Sequence, residues 1–516
     1  MRTHRLLFCL VWTAFAAGSA HAVELNVRTV GADSRIDILW ENTYAGYNVY
    51  RSQSPQGPFE KINKSPCEVG VYSDFLGEND KQYYYRVTAL NKASVESPPS
   101  QTVSAISRAM TDDELLESVQ QATLRYFCDY GHPVSARAPE RKGGSDTCTT
   151  GGTGFGLMAI MVGCQRGFLQ RDEAAERILR IVTFLEEKAQ RYHGAWSHWV
   201  NGRTGKTIPF SEYDNGGDLV ETSYLIQGML TVRQYFNADN DTEKQLRERI
   251  SRLWRQVEWD WYLKDPSGRK LYWHWSPDYG WKMNHTIGGH FNECMITYLL
   301  AIASETHPIP PQCYYAGWVG QPDSGYANGK SFYGYRQWVG WDRGGPLFFT
   351  HYSFLGFDPR GKRDKYCSYF ANNRNISLIN RAYCAENPGK HKGYSEVCWG
   401  LTASDTPGGY KAHQPNDDNG TISPTAAISA IVYTPKESIA ALRHFYHVYG
   451  ERLWGEFGFK DAFNPDKDWF AESYLAIDQG PIVIMIENYR SGLCWKMFMS
   501  NPEIARMLAG IGWTSE

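Results

Sequence analysis

Tyr213-Asp214-Asn215-Gly216-Gly217-Asp218-Leu219-Val220-Glu221-Thr222-Ser223-Tyr224-Leu225 holds the pattern that organises most of the chain. A Gly-Gly pair turns the backbone, a carboxylate follows at once, and the next segment is apolar or small on every side. Glycine permits a tight approach ahead of a helix, and a helix that is apolar all round must be buried. The signal recurs. Thr150-Gly151-Gly152 precedes Phe155-Gly156-Leu157-Met158-Ala159-Ile160, and Ile287-Gly288-Gly289 precedes His290-Phe291-Asn292-Glu293. Arg343-Gly344-Gly345 precedes Pro346-Leu347-Phe348, and Asp478-Gln479-Gly480 precedes Pro481-Ile482-Val483. Lys392-Gly393 and Asn419-Gly420 bracket a polar stretch that reads as one interrupted unit.

Amphipathic segments lie between these, among them Glu173 to Lys188 and Glu243 to Trp261, and the capping box Thr111-Asp112-Asp113-Glu114 opens the first of them. About six buried helices alternating with about six amphipathic ones predict a mainly α fold, an (α/α)6 toroid with its Gly turns on one rim. Spacings of roughly 50–70 residues are too irregular for a solenoid.

Outward from this core, the N-terminus reads differently. Arg2 and Arg5, the apolar run from Leu6 to Ala17 and Ala20-His21-Ala22 predict a cleaved signal peptide over residues 1–22. The run is too short for a bilayer, which needs ~20 residues, and no later segment is apolar enough to be transmembrane. A periplasmic or secreted protein is therefore expected. Over residues 23–106, Ile36-Asp37-Ile38-Leu39-Trp40, Tyr47-Asn48-Val49-Tyr50-Arg51 and Tyr83-Tyr84-Tyr85-Arg86-Val87-Thr88-Ala89 read as strands. Ser54-Pro55-Gln56-Gly57-Pro58 and Gly77-Glu78-Asn79-Asp80 separate them as turns. A small β-sandwich is predicted, closed by Ser97-Pro98-Pro99-Ser100 and serving as a spacer or docking module. The helical domain takes residues 107–516.

Composition narrows the function. A 516-residue chain with 14% aromatic residues, 18 Trp and a net charge of −3 is not a disordered one. No basic excess exists to neutralise phosphates, so nucleic acid is not an expected partner. The cysteines beyond residue 22 form no CxxC pair, no zinc site is expected, and spacing does not give disulfide pairing. No Gly-x-Ser-x-Gly elbow, phosphate loop or dinucleotide fingerprint occurs, and no cofactor is expected.

If the Gly turns share a rim, the residues that follow them line one cavity. Asp214, Asp218 and Glu221 would then meet His290, Asn292 and Glu293, with Asp405, Asp417 and Asp418 from the interrupted stretch. Buried carboxylates need partners, substrate or raised pKa values. Carboxylates in contrasting environments are what cleavage of a glycosidic bond requires. Asp218-Leu219-Val220-Glu221 also reads as a D-x-x-E cap, and spacing leaves both readings open. Glu293 is expected inside a Met/Tyr/Leu-rich helix. His274, His285 and His290 read as interior histidines rather than metal ligands.

Of the 18 Trp, only Trp12 and Trp40 precede residue 107. Trp196, Trp199, Trp273, Trp275, Trp281, Trp338 and Trp341 fall in loops, and indole suits a wet pocket that still needs apolar contact. Trp196, Trp199, Trp273, Trp275, Trp281 and Trp341, with His274, His290 and Asp405, are the candidate sugar-binding residues.

Several long motifs carry a resemblance: "YDNGGDLVETSYL", "GGHFNE", "GWDRGGPLFFTHYSFLGFDPR", "CWGLTASDTPGGYKA", "ISPTAAISAIVYTPKESIAAL" and "DQGPIVIMIENYRSGLCW". Across about 110–516 the chain resembles the bacterial glucoamylase-like domain family, which contains endo-β-1,2-glucanases and a domain of cyclic β-1,2-glucan synthases. The resemblance implies an (α/α)6 fold, no metal requirement, and hydrolysis of β-1,2-glucan with inversion. It places the acidic pocket residues on Asp214, Asp218, Glu221 and Glu293, without settling which is acid and which is base, or endo against exo action. Trp40, "YNVYRS" and "YYYRVTALN" resemble a fibronectin type III domain. A polysaccharide lyase and a non-catalytic glucan-binding protein are the competing readings. Oligomeric state is left open.

Overall fold

Segments that are apolar on every side can only be buried, and in the computed structural model of the chain they form an inner ring. Residues 25–322 and 324–516 are described, so the signal sequence read at 1–22 lies outside them. The chain makes two compact units, one ending at Ala109 and the other Met110–Glu516.

The first unit has seven strands: β1 (Arg28–Ala32), β2 (Arg35–Leu39), β3 (Gly46–Ser52), β4 (Glu60–Lys61), β5 (Val71–Phe75), β6 (Gln82–Leu90) and β7 (Val103–Ile106). They pair antiparallel in two sheets, β1-β2-β5 and β4-β3-β6-β7. Alternate residues point inward. Ile36 and Ile38 thus meet Tyr47, Val49, Tyr85, Val87 and Ala89 in one core, capped by Trp40. This is the sandwich expected of a fibronectin type III-like module.

In the second unit outer and inner pieces alternate along the chain. α1 (Asp112–Cys128) is outer, α2 (Thr150–Gln165) inner, α3 (Arg171–Glu187) outer, α4 (Leu219–Tyr235) inner, α5 (Asp241–Arg255) outer and α6 (Met295–Ala303) inner. A π-type turn, Tyr314–Trp318, takes the next outer place, and 3₁₀ turns Leu347–Thr350 and Tyr352–Phe354 the next inner one. Then follow α7 (Tyr369–Glu386) outside, α8 (Pro424–Ser429) with a 3₁₀ turn Ala430–Val432 inside, α9 (Pro435–Leu453) outside and α10 (Ala476–Arg490) inside.

Patterning sorts the layers. α4 is buried from Leu219 to Arg233, whereas α5 buries only Glu243, Leu246, Ile250, Leu253 and Trp254. Around the ring α2 packs on α4, α4 on α6, and α10 on both α2 and α8. The 3₁₀ turns close the circle: Ile296 N–H donates to Ser353 Oγ at 3.0 Å, and Tyr433 OH donates to the Thr350 carbonyl at 3.0 Å. The fold is an (α/α)6 toroid. α11 (Leu493–Met499) and α12 (Pro502–Ile511) seal the end where the inner helices finish. There Trp495 Nε1 donates to the Phe354 carbonyl at 2.7 Å, and the Asn501 amide to Leu230 at 3.0 Å.

Three expectations need correction. The fourth inner segment is not an α-helix, because His351 breaks it at φ −107°, ψ −58°. The helix expected to reach Trp261 stops at Arg255, and Trp259–Leu263 is a separate 3₁₀ turn. Glu293 lies ahead of α6 rather than inside it. Gly288 and Gly289 hold φ of 115° and 87°, and Asn292 Oδ1 accepts the Cys294 N–H at 2.9 Å, so the helix starts only at Met295. The cysteines from Cys128 to Cys494 carry free thiols, most of them buried.

α2 and α4 meet backbone to backbone. A Cβ on Gly154 would lie 2.3 Å from the Tyr224 carbonyl oxygen, and one on Gly228 would lie 2.1 Å from that of Gly154. The obstacle in both cases is main chain, which cannot rotate aside. Gly154→Ala and Gly228→Ala are each expected to lower the unfolding free energy by about 3 kcal/mol in chemical denaturation. Gly325→Ala, whose Cβ would meet nothing within 4 Å, should change it by less than about 0.5 kcal/mol. Unchanged stability in both helix variants would contradict this packing.

Candidate active site

The inner pieces all begin on one rim, and their first residues face a common cavity. Asp218 is the N-cap of α4: its Oδ1 accepts the N–H groups of Val220 and Glu221 at 3.0 and 2.9 Å. The second half of a capping box is missing, since Glu221 does not reach back. Its Oε2 crosses to α2, where it accepts the Gly151 N–H at 2.7 Å and the Thr149 hydroxyl at 3.3 Å. The capping reading therefore holds for Asp218 and fails for Glu221.

Asp218 Oδ2 faces two imidazoles, His198 Nδ1 at 3.0 Å and His274 Nε2 at 3.7 Å. His274 Nε2 also lies 3.2 Å from Asp214 Oδ2, while Asp214 Oδ1 is buried without a partner. Period-2 geometry delivers His274, because the short pair Gly217↔Trp275 and Asp218↔His274 turns His274 to the acids and Trp275 away. Ligand-type atoms of His198, Asp214 and Asp218 lie within 4.8 Å of one another, the one such group among the described residues. Both Asp218 oxygens are already engaged by amides and imidazoles, so the arrangement reads as an ion-pair network.

Glu293 has a contrasting environment. Its carbonyl accepts hydrogen bonds from Tyr224 OH, at 3.3 Å, and Ser353 OH, which fixes the turn. Its side-chain Oε2 is buried with no hydrogen-bond partner. Burial pushes this carboxyl up to about 7, opposed only by its own N–H and the Cys294 thiol. Burial and the Asp218 charge also raise Glu221, against the pull of His198, Gly151 and Thr149. Burial opposes charge on Asp218 too, but His198, His274 and the Glu221 N–H overcome it and hold that carboxyl below its usual range.

A second acidic group was not singled out in the sequence. Asp478, in the first turn of α10, is buried close to Asp461, and Asp478 Oδ2 and Asp461 Oδ1 are both buried with no hydrogen-bond partner. Burial pushes Asp461 up to about 7, and burial plus Asp461 raises Asp478 well above the carboxylate range. Asp405 supports this group rather than standing alone. Arg141 holds its two oxygens at 3.2 and 3.1 Å, and its N–H donates to Asp461 Oδ2 at 2.7 Å. Burial raises the Tyr352 phenol, and it lies close enough to Asp478, Glu293 and Glu221 for these carboxyls to add to that. Asp478 precedes a Gly-Pro step that reads as a turn in the sequence and is helical in the structure, and nothing in the sequence marks Asp461.

The aromatic candidates divide. Trp199 stands at the rim with Phe210, 4.9 Å between rings. Trp273 stacks on His285 at 4.9 Å, and His290 stacks on Trp341 at 5.0 Å, with Trp341 exposed at 42%. Trp196 is fully buried and donates to the Leu185 carbonyl at 3.3 Å, so it offers no face to a ligand. Trp275 and Trp281 turn outward into a cluster with Trp261, and Trp281 adds Tyr262 and Tyr272, away from the acids. Asp417 and Asp418 bind Lys411 and Tyr394. Phe210 and Tyr410, exposed at 50% and 49%, are rim aromatics the sequence reading passed over.

A family model named Glycoamylase, described as "Putative glucoamylase", matches residues 284–502. An exo-β-1,2-glucooligosaccharide sophorohydrolase (non-reducing end) of Parabacteroides distasonis is 46% identical over 502 residues, 92% of this chain and 68% of its own length. The crystal structure of a β-1,2-glucanase from Parabacteroides distasonis superposes with a TM-score of 0.90 at 45% identity, covering 96% of this chain and 74% of that one. An endo-β-1,2-glucanase of Chitinophaga pinensis, solved with sophorotriose and glucose, gives 0.76 at 48% identity, covering 79% of this chain and 99% of that one.

The raised Glu293 carboxyl has a consequence for stability. The folded protein keeps that proton up to about 7, whereas the unfolded chain releases it near 4.5. Its stabilisation is therefore complete below 4.5 and is lost as pH rises through 7. At 1.36 kcal/mol per pKa unit, the wild type should lose about 3 kcal/mol relative to Glu293→Gln between pH 4.5 and 8. Urea unfolding of both proteins across that range checks it, and pH-independent spacing of the two curves would contradict it.

Proposed function

The chain belongs to the glucoamylase-like family of these glucan-hydrolysing relatives, and from that premise we propose that it hydrolyses β-1,2-linked glucan in the rim cavity. It is a glycoside hydrolase. The observation that carries the mechanism is the contrast between two glutamates. Glu293 has an unpartnered oxygen, and burial holds its proton on up to about 7, as a general acid needs. Glu221 has an oxygen supported by the Gly151 N–H and the Thr149 hydroxyl, with His198 nearby, as an acting carboxylate needs.

Glu293 donates its proton to the glycosidic oxygen as the bond from C1 to that oxygen breaks. Glu221 takes a proton from water as the water oxygen bonds to C1 on the opposite face, inverting the anomeric centre. One water is consumed, and proton exchange with solvent resets both groups. The Asp461–Asp478 pair supports a second reading of the base, because two adjacent buried carboxyls that hold one proton between them can also accept one from water. Trp199, Trp273 and Trp341 form the stacking walls, which suits a neutral sugar chain. Similarity that extends over both units to an exo-acting relative supports end-wise release of disaccharide. The charged start, apolar run and Ala-x-Ala of residues 1–22 support export of this activity.

Linear β-1,2-glucan incubated with the enzyme should yield disaccharide from the first minutes while the remaining polymer shortens slowly; an early ladder of mixed oligomers would mean internal cleavage. Glu293→Gln and Glu221→Gln are each expected to lose ~10²–10⁴-fold in kcat while staying folded. Should Asp478→Asn lose more than Glu221→Gln, the base is the aspartate pair. Near-normal rates for Glu293→Gln would remove the proposed acid.

A further inference from the structure

His198 stands where the chain gathers Asp214, Asp218 and Glu221, between the short strands Ala195–Trp196 and Trp199–Asn201. It is fixed from several sides. Its Nδ1 lies 3.0 Å from Asp218 Oδ2, and its carbonyl accepts the Thr150 N–H of α2 at 3.1 Å. Phe210 packs on the ring at 4.4 Å, and Trp199 meets it edge-on at 5.6 Å. What remains is Nε2. No described residue bonds to it, and it is not shut away as Asp214 Oδ1 and His274 Nδ1 are. The side chain is 25% exposed, against 0% for Asp218 beside it.

Resting on the β-1,2-glucan reading, we propose that His198 contacts the substrate, presenting its Nε2–H to a hydroxyl of the glucose unit beside Glu221, with Asp218 as the group that positions it. A positioned N–H at the mouth of an acidic cavity supplies what the carboxylates cannot, since ionised carboxylates only accept hydrogen bonds.

The surrounding charges make this donor a strong one. Burial disfavours the imidazolium, but Glu221, Asp218 and Asp214 together pull its pKa up to about 9, so both ring nitrogens carry protons at neutral pH. A charge-assisted hydrogen bond is roughly twice as strong as a neutral one. His274, the other imidazole on Asp218, cannot share the task. It is 8% exposed, its Nε2 is spent on Asp214 and Asp218, and its Nδ1 is buried.

Two substitutions separate contact from scaffolding. An asparagine amide takes the place of Nδ1 and can still meet Asp218 but cannot reach outward, whereas a glutamine amide takes the place of Nε2 and can. His198→Asn is expected to lower kcat/KM on short β-1,2-glucooligosaccharides by at least about tenfold, and His198→Gln to recover most of that loss. Fluorescence titration with the same oligosaccharides in a Glu293→Gln background should show at least about tenfold weaker binding when His198→Asn is added. A purely structural role through Asp218 predicts the opposite order, with Asn tolerated and Gln impaired, and would overturn the inference. So would stoichiometric metal in the purified wild type that is lost in His198→Asn. A wild type active on β-1,2-glucan with both His198 variants matching it would remove His198 alone. A wild type inactive on that glucan would remove the underlying reading.

Discussion

The site depends on one close approach, the contact of α2 and α4 through Gly154 and Gly228. With a side chain at either position the helices would have to separate by more than an ångström, since the clashing atoms are main chain. That distance is what brings the Gly151 N–H of one helix to 2.7 Å from the Glu221 carboxylate of the other. Even Gly151 is constrained, because a Cβ there would lie 2.8 Å from the Glu221 Oε2 it serves. The glycines of this region thus set the environment of an ionisable group as well as the packing density of the core. An interior packed as tightly as a crystal transmits such displacements instead of absorbing them.

Environment, rather than residue type, then divides the labour. Asp218 and Glu221 are buried and Glu293 partly so, and the three differ in how many N–H and imidazole groups address them. Asp218 receives two amides and two imidazoles and stays charged. Glu221 receives one amide, one hydroxyl and the field of His198. Glu293 receives only its own N–H and a thiol, and keeps its proton up to about 7. Their pKa values part in that order, and a pair of carboxyls with separated pKa values is what acid–base chemistry at one pH requires.

Much of this was legible in the sequence because the inner helices are apolar all round and several carry a glycine pair at or just before their first turn, although Gly151-Gly152 and Gly480 are helical rather than turn residues. The toroid, the sandwich and the four main carboxylates follow from that pattern and from the motif resemblance. What failed did so for local reasons. Glu293 was placed in a helix because the turn that Asn292 Oδ1 makes with the Cys294 N–H, ahead of a helix that starts at Met295, has no mark in the sequence. Trp275 was grouped with His274 because adjacency in sequence hides the two faces of a strand, even one of two residues. Trp196 sits in the same loop as Trp199, but only three-dimensional packing shows that one indole is core and the other rim. His198 had no signal, since a histidine between tryptophans looks the same whether or not an aspartate from a distant helix meets it.

The gathering of so many acids at one rim would be costly in most folds, and the toroid removes much of that cost by its direction. All inner pieces start at the same end, so their unsatisfied N–H groups and positive dipole ends converge on the cavity. Asp218 uses the start of its own helix, Glu221 uses the start of α2, and Asp478 lies in the first turn of α10. The exception is instructive. Glu293 precedes α6 by two residues, and Cys294 rather than an acid stands at the N-cap of that helix and makes no side-chain cap bond. The raised carboxyl among charged ones is then a consequence of its lying outside the helix start, where only its own N–H and the Cys294 thiol oppose burial. Two helix amides of the kind that Asp218 receives would pull the Glu293 carboxyl down in the same way, and the general acid would be gone with no change in composition at the rim.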